Sequence, residues 1–198
     1  DPLGMVTAYT YDALGHRLTG TAAVGTALER TTTTATYVTD TDLPLLRTRA
    51  DGSQTQYEYF DDGTLKREYD PQHPEVQTTY TYDALRRMLT ATDALGRPTK
   101  FEYDAAGHQT KITNPLNEET ISTYDGELLV AVETGRVVTA TETKPGCIVR
   151  FSYDAEGHRT EERRVLDDGS ERVVTTLTYD AKGQLVATTN ALGQTESM

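Results

Sequence analysis

The sequence predicts an all-β protein, an antiparallel meander of roughly sixteen short strands. Three observations predict it. A turn phrase led by Asp or Asn recurs every 10 or 11 residues along much of the 198-residue chain. The segments between turns alternate aromatic and polar residues. The composition holds 12 Tyr and 36 Thr, both of which favour a pleated, half-buried surface. Leu, Ile, Val and Phe supply only 37 residues and the net charge is −12, a balance that signals disorder in a sequence without periodicity. The periodicity therefore carries the argument for a fold.

The turns come first. Tyr82-Asp83-Ala84-Leu85, Tyr103-Asp104-Ala105-Ala106-Gly107 and Tyr124-Asp125-Gly126 set their tyrosines 21 residues apart. Asp93-Ala94-Leu95-Gly96 and Asn114-Pro115-Leu116-Asn117 fall halfway between. Tyr11-Asp12-Ala13-Leu14-Gly15, Tyr153-Asp154-Ala155-Glu156-Gly157 and Tyr179-Asp180-Ala181-Lys182-Gly183 repeat the full phrase. Asn190-Ala191-Leu192-Gly193 and Asp1-Pro2-Leu3-Gly4 repeat the half form. Weaker turns are expected at Asp51-Gly52, Asp61-Asp62-Gly63, Thr134-Gly135, Lys144-Pro145-Gly146 and Asp167-Asp168-Gly169. Asp accepts hydrogen bonds from the backbone two residues on, and Gly takes the positive φ that closes a type I turn before a bulge. Pro2, Pro71, Pro115 and Pro145 fall at these turns, where a missing N–H costs nothing.

The strands follow. Six or seven residues between turns rise about 20 Å, too little for helices with loops at both ends. Tyr9 and Tyr11, Tyr57 and Tyr59, Tyr80 and Tyr82, Phe101 and Tyr103, and Phe151 and Tyr153 are each two residues apart. Each pair shares a face, and Thr10, Glu58, Thr81, Glu102 and Ser152 share the other. The aromatic face is expected to form the sheet's own core, with Tyr37 and Tyr69 left for exposed contact. Sheets of this many strands coil, so part of a spiral is expected.

No residue is assigned to catalysis, a cofactor or a metal. Asp12, Asp83, Asp104, Asp125, Asp154 and Asp180 hold one repeat position, whereas a catalytic carboxylate is tuned by a unique pocket. His16, His108 and His158 follow the turn's fourth residue as polar caps, on hairpins too far apart in sequence for a shared zinc site. Asp40-Thr41-Asp42 lacks calcium-loop spacing. His73 reads as a loop residue, and Cys147 as a small turn or core residue. The single Cys excludes an internal disulfide, and no apolar run spans a membrane. Acidity disfavours nucleic acid as partner. Opening without a start Met, residues 1–198 read as one repeat array cut from a longer protein within repeats at both ends.

The phrase Tyr-Asp-x-x-Gly-(His/Arg/Gln), at Tyr11 to Thr19, Tyr103 to Thr110, Tyr153 to Thr160 and Tyr179 to Val186, resembles the RHS/YD-repeat family. Asp93-Ala94-Leu95-Gly96-Arg97 is similar to its half-repeat. The resemblance implies β-hairpins spiralling into a hollow shell, which in bacterial Rhs effectors and insecticidal toxin-complex C components encloses a C-terminal toxin domain. More distant teneurins use a similar shell in cell-surface adhesion, and carbohydrate binding is ascribed to such repeats. The repeat-defining positions here are Tyr11, Asp12, Gly15, Tyr82, Asp83, Asp93, Gly96, Tyr103, Asp104, Gly107, Tyr124, Asp125, Tyr153, Asp154, Gly157, Tyr179, Asp180 and Gly183. The autoproteolytic Asp-Pro-x-Gly-Leu core of many members has no match, so protease activity is not carried over. Arg86 stands where the phrase has Gly, and Tyr59-Phe60-Asp61 reads as a one-residue insertion; both are expected to be local bulges.

The expected function is thus a structural wall segment, not an enzyme, in a bacterial shell around a toxin or effector. Its partners are the rest of the shell, the enclosed domain and, through exposed edge strands, further copies of itself. The alternative is an adhesive or carbohydrate-binding repeat module. By the resemblance the protein is secreted or at the cell surface. An acidic wall is expected to retain a basic cargo.

Overall fold

A computed structural model describes residues 6–27 and 29–198. The opening phrase at 1–5, with Pro2, lies outside the described residues. Those residues contain strands and turns and no helix, with eighteen strands rather than about sixteen. The chain divides into two units, Asp1–Arg97 and Pro98–Met198.

The first unit runs β1 (Ala8–Tyr11), β2 (Arg17–Ala22), β3 (Arg30–Tyr37), β4 (Pro44–Arg49), β5 (Gln54–Tyr59), β6 (Leu65–Asp70), β7 (His73–Tyr82) and β8 (Met88–Thr92). Each pairs antiparallel with the next. The second runs β9 (Pro98–Tyr103), β10 (Gln109–Thr113), β11 (Glu118–Asp125), β12 (Leu128–Val138), β13 (Thr143–Lys144), β14 (Cys147–Tyr153), β15 (Arg159–Val165), β16 (Glu171–Tyr179), β17 (Leu185–Asn190) and β18 (Thr195–Ser197). It too is a meander, except that β13 and β14 both pair with β12.

One backbone pattern closes most hairpins. At 12–16 the Asp12 N–H donates to the His16 carbonyl (3.0 Å) and the Gly15 N–H to the Asp12 carbonyl (3.2 Å). The pattern recurs at 49–53, 60–64, 83–87, 93–97, 104–108, 114–118, 154–158, 166–170, 180–184 and 190–194. The fourth residue takes positive φ. Glycine does so at most turns, Arg86 at 62° and Asn117 at 61°. Arg86 therefore fills the glycine slot without changing the turn. The register shift beside it, between Thr81 and Tyr82, also occurs beside the glycine turns, for example between Thr10 and Tyr11. Phe60 is no insertion either. Its N–H donates to the Thr64 carbonyl (2.8 Å), so it sits in the slot Asp takes elsewhere.

Two expected turns are something else. Thr134 and Gly135 lie inside β12, where Gly135 (φ 76°) is the extra residue of a bulge opposite Glu119 and Thr120. Lys144-Pro145-Gly146 interrupts a single pairing line, separating β13 and β14 along β12. The hairpin reverses instead near Thr139, whose N–H donates to the Glu142 carbonyl (2.8 Å). Asp125 also departs from its expected slot. It ends β11 and pairs with Leu128 across the two-residue loop Gly126–Glu127. His73 begins β7 opposite Asp70, and exposed Cys147 begins β14, so neither is a turn or core residue.

The expected aromatic core is not a core. Among the described residues Ala23 is the only buried apolar side chain, and no polar one is buried. Each sheet is a single layer with solvent on both faces. Tyrosine suits this situation, because its ring covers neighbours while its hydroxyl stays paired or wet.

Candidate functional site

The repeat phrase builds its geometry from the carboxylate outward. Asp83 Oδ1 accepts from the N–H groups of Leu85 and Arg87 (both 2.9 Å), and Oδ2 from Arg87 Nε (2.7 Å). Asp12, Asp93, Asp154 and Asp180 accept from the N–H groups two and four residues on in the same way. Asp104 accepts from Gly107 and His108. Asn114 and Asn190 reproduce the pattern with a neutral carbonyl oxygen. A second turn chemistry puts Asp third, before Gly and a hydroxyl residue. Asp62 Oδ1 there accepts from the Thr64 N–H (3.0 Å) and hydroxyl (2.6 Å), and Asp168 binds Ser170 likewise. The Arg97 and Thr64 bonds hold the Asp93 and Asp62 carboxyls below the usual carboxylate range.

The tyrosines face the gaps between hairpins. A meander's turn joins one pair of strands and leaves the next pair unjoined at that edge. Five tyrosines that end incoming strands bridge this gap to a carbonyl at or beside the start of the neighbouring strand. Tyr37 donates to Arg17 (3.2 Å), Tyr59 to Pro44 (2.8 Å), Tyr124 to Gln109 (3.5 Å), Tyr153 to Leu129 (2.7 Å) and Tyr179 to Arg159 (3.0 Å). Three of these rings also stack on the histidine of the preceding turn: His16 on Tyr37, His108 on Tyr124 and His158 on Tyr179, at 4.6, 4.5 and 4.9 Å.

Tyr37 and Tyr69 are therefore not the exposed pair. Tyr37 is held by His16, and Tyr69 lies under Arg67 (4.6 Å) with its hydroxyl on Glu58 (3.2 Å). Tyr9 and Tyr11 of β1 are the more exposed tyrosines, at 47% and 56%. Burial, helped by the hydroxyl's bond to Glu68 (2.8 Å), pushes the Tyr80 phenol well above its ordinary range.

The face opposite the turn tyrosines carries paired charge. In the second unit Lys111 bonds Glu102 and reaches Glu119 (3.7 Å), and Arg136 reaches Glu119 (3.8 Å) and Glu133 (3.9 Å). Arg150 meets Glu171 (3.1 Å), and Arg163 meets Glu161 (2.6 Å) and Glu171 (3.8 Å). A shallow hollow on this face is lined by Ile121, Glu133, Ile148, Arg150, Arg163 and Glu171. Five carboxylates meet four cations along this line, so it is close to neutral. The expected acidic wall does not lie here; much of the chain's acidity is in its turns.

Asp154, Glu156 and His158 bring three potential metal-ligand atoms within 4.8 Å of one another. Asp154 Oδ1 is already taken by the turn's N–H groups and Oδ2 by His158 Nδ1 (3.0 Å). The cluster is thus accounted for as turn chemistry.

The RHS Repeat family model matches residues 61–98 and 89–119. Double-stranded DNA deaminase toxin A of Burkholderia cenocepacia (strain H111) is 28% identical over 127 residues, covering 55% of this chain and 8% of that protein. A crystal structure of TcdB2-TccC3-Cdc42 has the same fold over 94% of this chain, with TM-score 0.51 and 18% identity. The Photorhabdus luminescens Tc holotoxin pore with a mutated TccC3 matches at TM-score 0.50 and 18% identity. The chain spans 12% of the chains in these structures. The matched residues 61–119 include both turn chemistries, and the same hairpin unit continues on either side of them. Residues 61–119 thus match RHS repeats, and the chain as a whole resembles the RHS/YD-repeat family in its hairpin unit and fold.

Proposed function

We propose that this chain is a wall segment of an RHS/YD-repeat shell enclosing a C-terminal toxin or effector domain, and that it does no chemistry of its own. The observation that carries the reading is the single layer. A sheet whose described residues bury one apolar side chain has two wet faces, as a partition between two aqueous spaces requires. The hydrogen-bonded meander supplies continuity within each unit, and the near-neutral charge ladder offers enclosed protein no large apolar patch to grip. On this reading the charge-bearing face is the inner side. The relatives' names fit the setting: one is a toxin, and a TcdB2-TccC3 structure was solved without a hypervariable C-terminal region. The wall belongs, on this reading, to a secreted bacterial protein, and the 198 residues are one stretch of its repeat array.

Limited proteolysis of the parent protein tests this. The C-terminal domain should resist digestion in the intact parent and become cleavable when residues 103–124 are deleted. Equal digestion of both proteins would refute containment.

A further inference from the structure

His16 and His108 each have a carboxylate on both ring nitrogens. His16 Nδ1 lies 2.7 Å from Asp12 Oδ2, and Nε2 lies 2.6 Å from Asp42 Oδ1. His108 Nδ1 lies 2.9 Å from Asp104 Oδ2, and Nε2 lies 3.0 Å from Glu127 Oε2. A neutral imidazole has one donor nitrogen, so both bonds form only when the ring is an imidazolium. In each case the first carboxylate belongs to the histidine's own turn. The second belongs to the next turn along the same edge, across a gap that no loop closes. The charged groups bearing on His16 are Asp12 and Asp42; those bearing on His108 are Asp104 and Glu127. Tyr37 and Tyr124 lie against the rings at 4.6 and 4.5 Å and fix their planes.

We propose that His16 and His108 are acid-set clasps: protonated, each ties two neighbouring hairpins together, and deprotonated, each releases one of its two carboxylates and loosens the edge. Asp42 and Glu127 are 97% and 89% exposed at the side chain, so water takes either one once the ring is neutral.

The titrations run in the matching direction. The bond to Asp12, then that to Asp42, raises His16 above its ordinary 6.5 against the effect of burial. Glu127, then Asp104, does the same for His108. Burial pushes Asp12 up, but its bonds to His16 and to the turn N–H groups outweigh this and hold it below 3.8; Asp104 is lowered chiefly by His108. A raised histidine contributes fully below its unfolded value and loses the contribution as pH rises through the folded one. A lowered carboxylate contributes above its unfolded value and fails as pH falls through the folded one. The clasp is therefore tightest between the carboxylate and histidine ranges and opens as the pH rises through the raised histidine values.

Other hairpins supply natural controls. Arg87 and Arg97 occupy the same slot with a permanent cation, Nε lying 2.7 and 2.9 Å from Asp83 and Asp93, and Gln184 fills it with a neutral amide. His158 bonds Asp154, but its outer side faces Gly183, where an added Cβ would stand 2.7 Å from Nε2.

The test uses the 198-residue chain. Nitrogen-15 spectra should show the His16 and His108 rings doubly protonated, titrating above 6.5. Both midpoints should fall in Asp42→Asn/Glu127→Gln. The thermal midpoint should drop from pH 6 to pH 9, and His16→Arg/His108→Arg should flatten that drop while keeping the fold, because the slot already accepts arginine. Midpoints unmoved by the amide variant, or an unchanged thermal slope in the arginine variant, would overturn the proposal.

Discussion

A carboxylate that accepts two backbone N–H groups turns the chain by itself, and this is the commonest device in the molecule. Asn114 shows that charge is not its essence. Oδ1 accepts from Leu116 and Glu118 (both 2.9 Å), and Nδ2 donates to Glu118 (2.8 Å). Asn114→Ala should lower unfolding free energy by about 1 kcal/mol through the lost backbone bonds, while Asn114→Asp should keep those bonds but lose the one to Glu118 and set two carboxylates against each other, so it should recover only part of the loss. Urea unfolding followed by circular dichroism measures both, since the chain has no Trp. At this scale the sequence was readable wherever Asp stands three residues before Gly. The tyrosine hydroxyls were readable in type, as groups that reach a turn carbonyl. Their individual acceptors were not, because Tyr153 meets Leu129, a residue 24 positions away that only the strand pairing selects. The second carboxylates Asp42 and Glu127 were hidden for the same reason.

Elements show where local chemistry stops deciding. A Thr-Gly pair suits a turn or a bulge equally, and at Gly135 the continuing ladder between β11 and β12 makes it a bulge. At Gly146 the chain passes so close to β12 that an added Cβ would stand 2.2 Å from the Thr134 carbonyl oxygen, while the Gly146 N–H donates to Glu133 (2.8 Å). Gly146→Ala must therefore push β14 away from β12. It should cost about 1–3 kcal/mol, the range for overpacking, read as a lower urea midpoint. Sequence periodicity alone could not see this, since the beat of 10 or 11 residues predicts a corner where the chain runs straight through.

For the molecule as a whole, repetition made the fold class legible, and composition made the strand faces legible in kind. It did not reveal that the aromatic face stays wet, because burial depends on whether a second layer exists and no residue encodes that directly. Single layers end in unpaired backbone. Among the described residues β1 pairs only with β2, and β18 only with β17. Such edges recruit another strand. The separate 198-residue chain should therefore elute above its 21.9 kDa mass in light-scattering chromatography, increasingly so with concentration. A constant monomer mass across the range would count against this.

The near absence of an interior also shapes how this chain tolerates change. In a globular domain one altered residue disturbs many others through shared packing. Here each hairpin answers mainly to the two beside it, so damage stays near where it falls. Whole hairpins can be gained or lost as tiles from a strip, with only the adjoining seams to be remade.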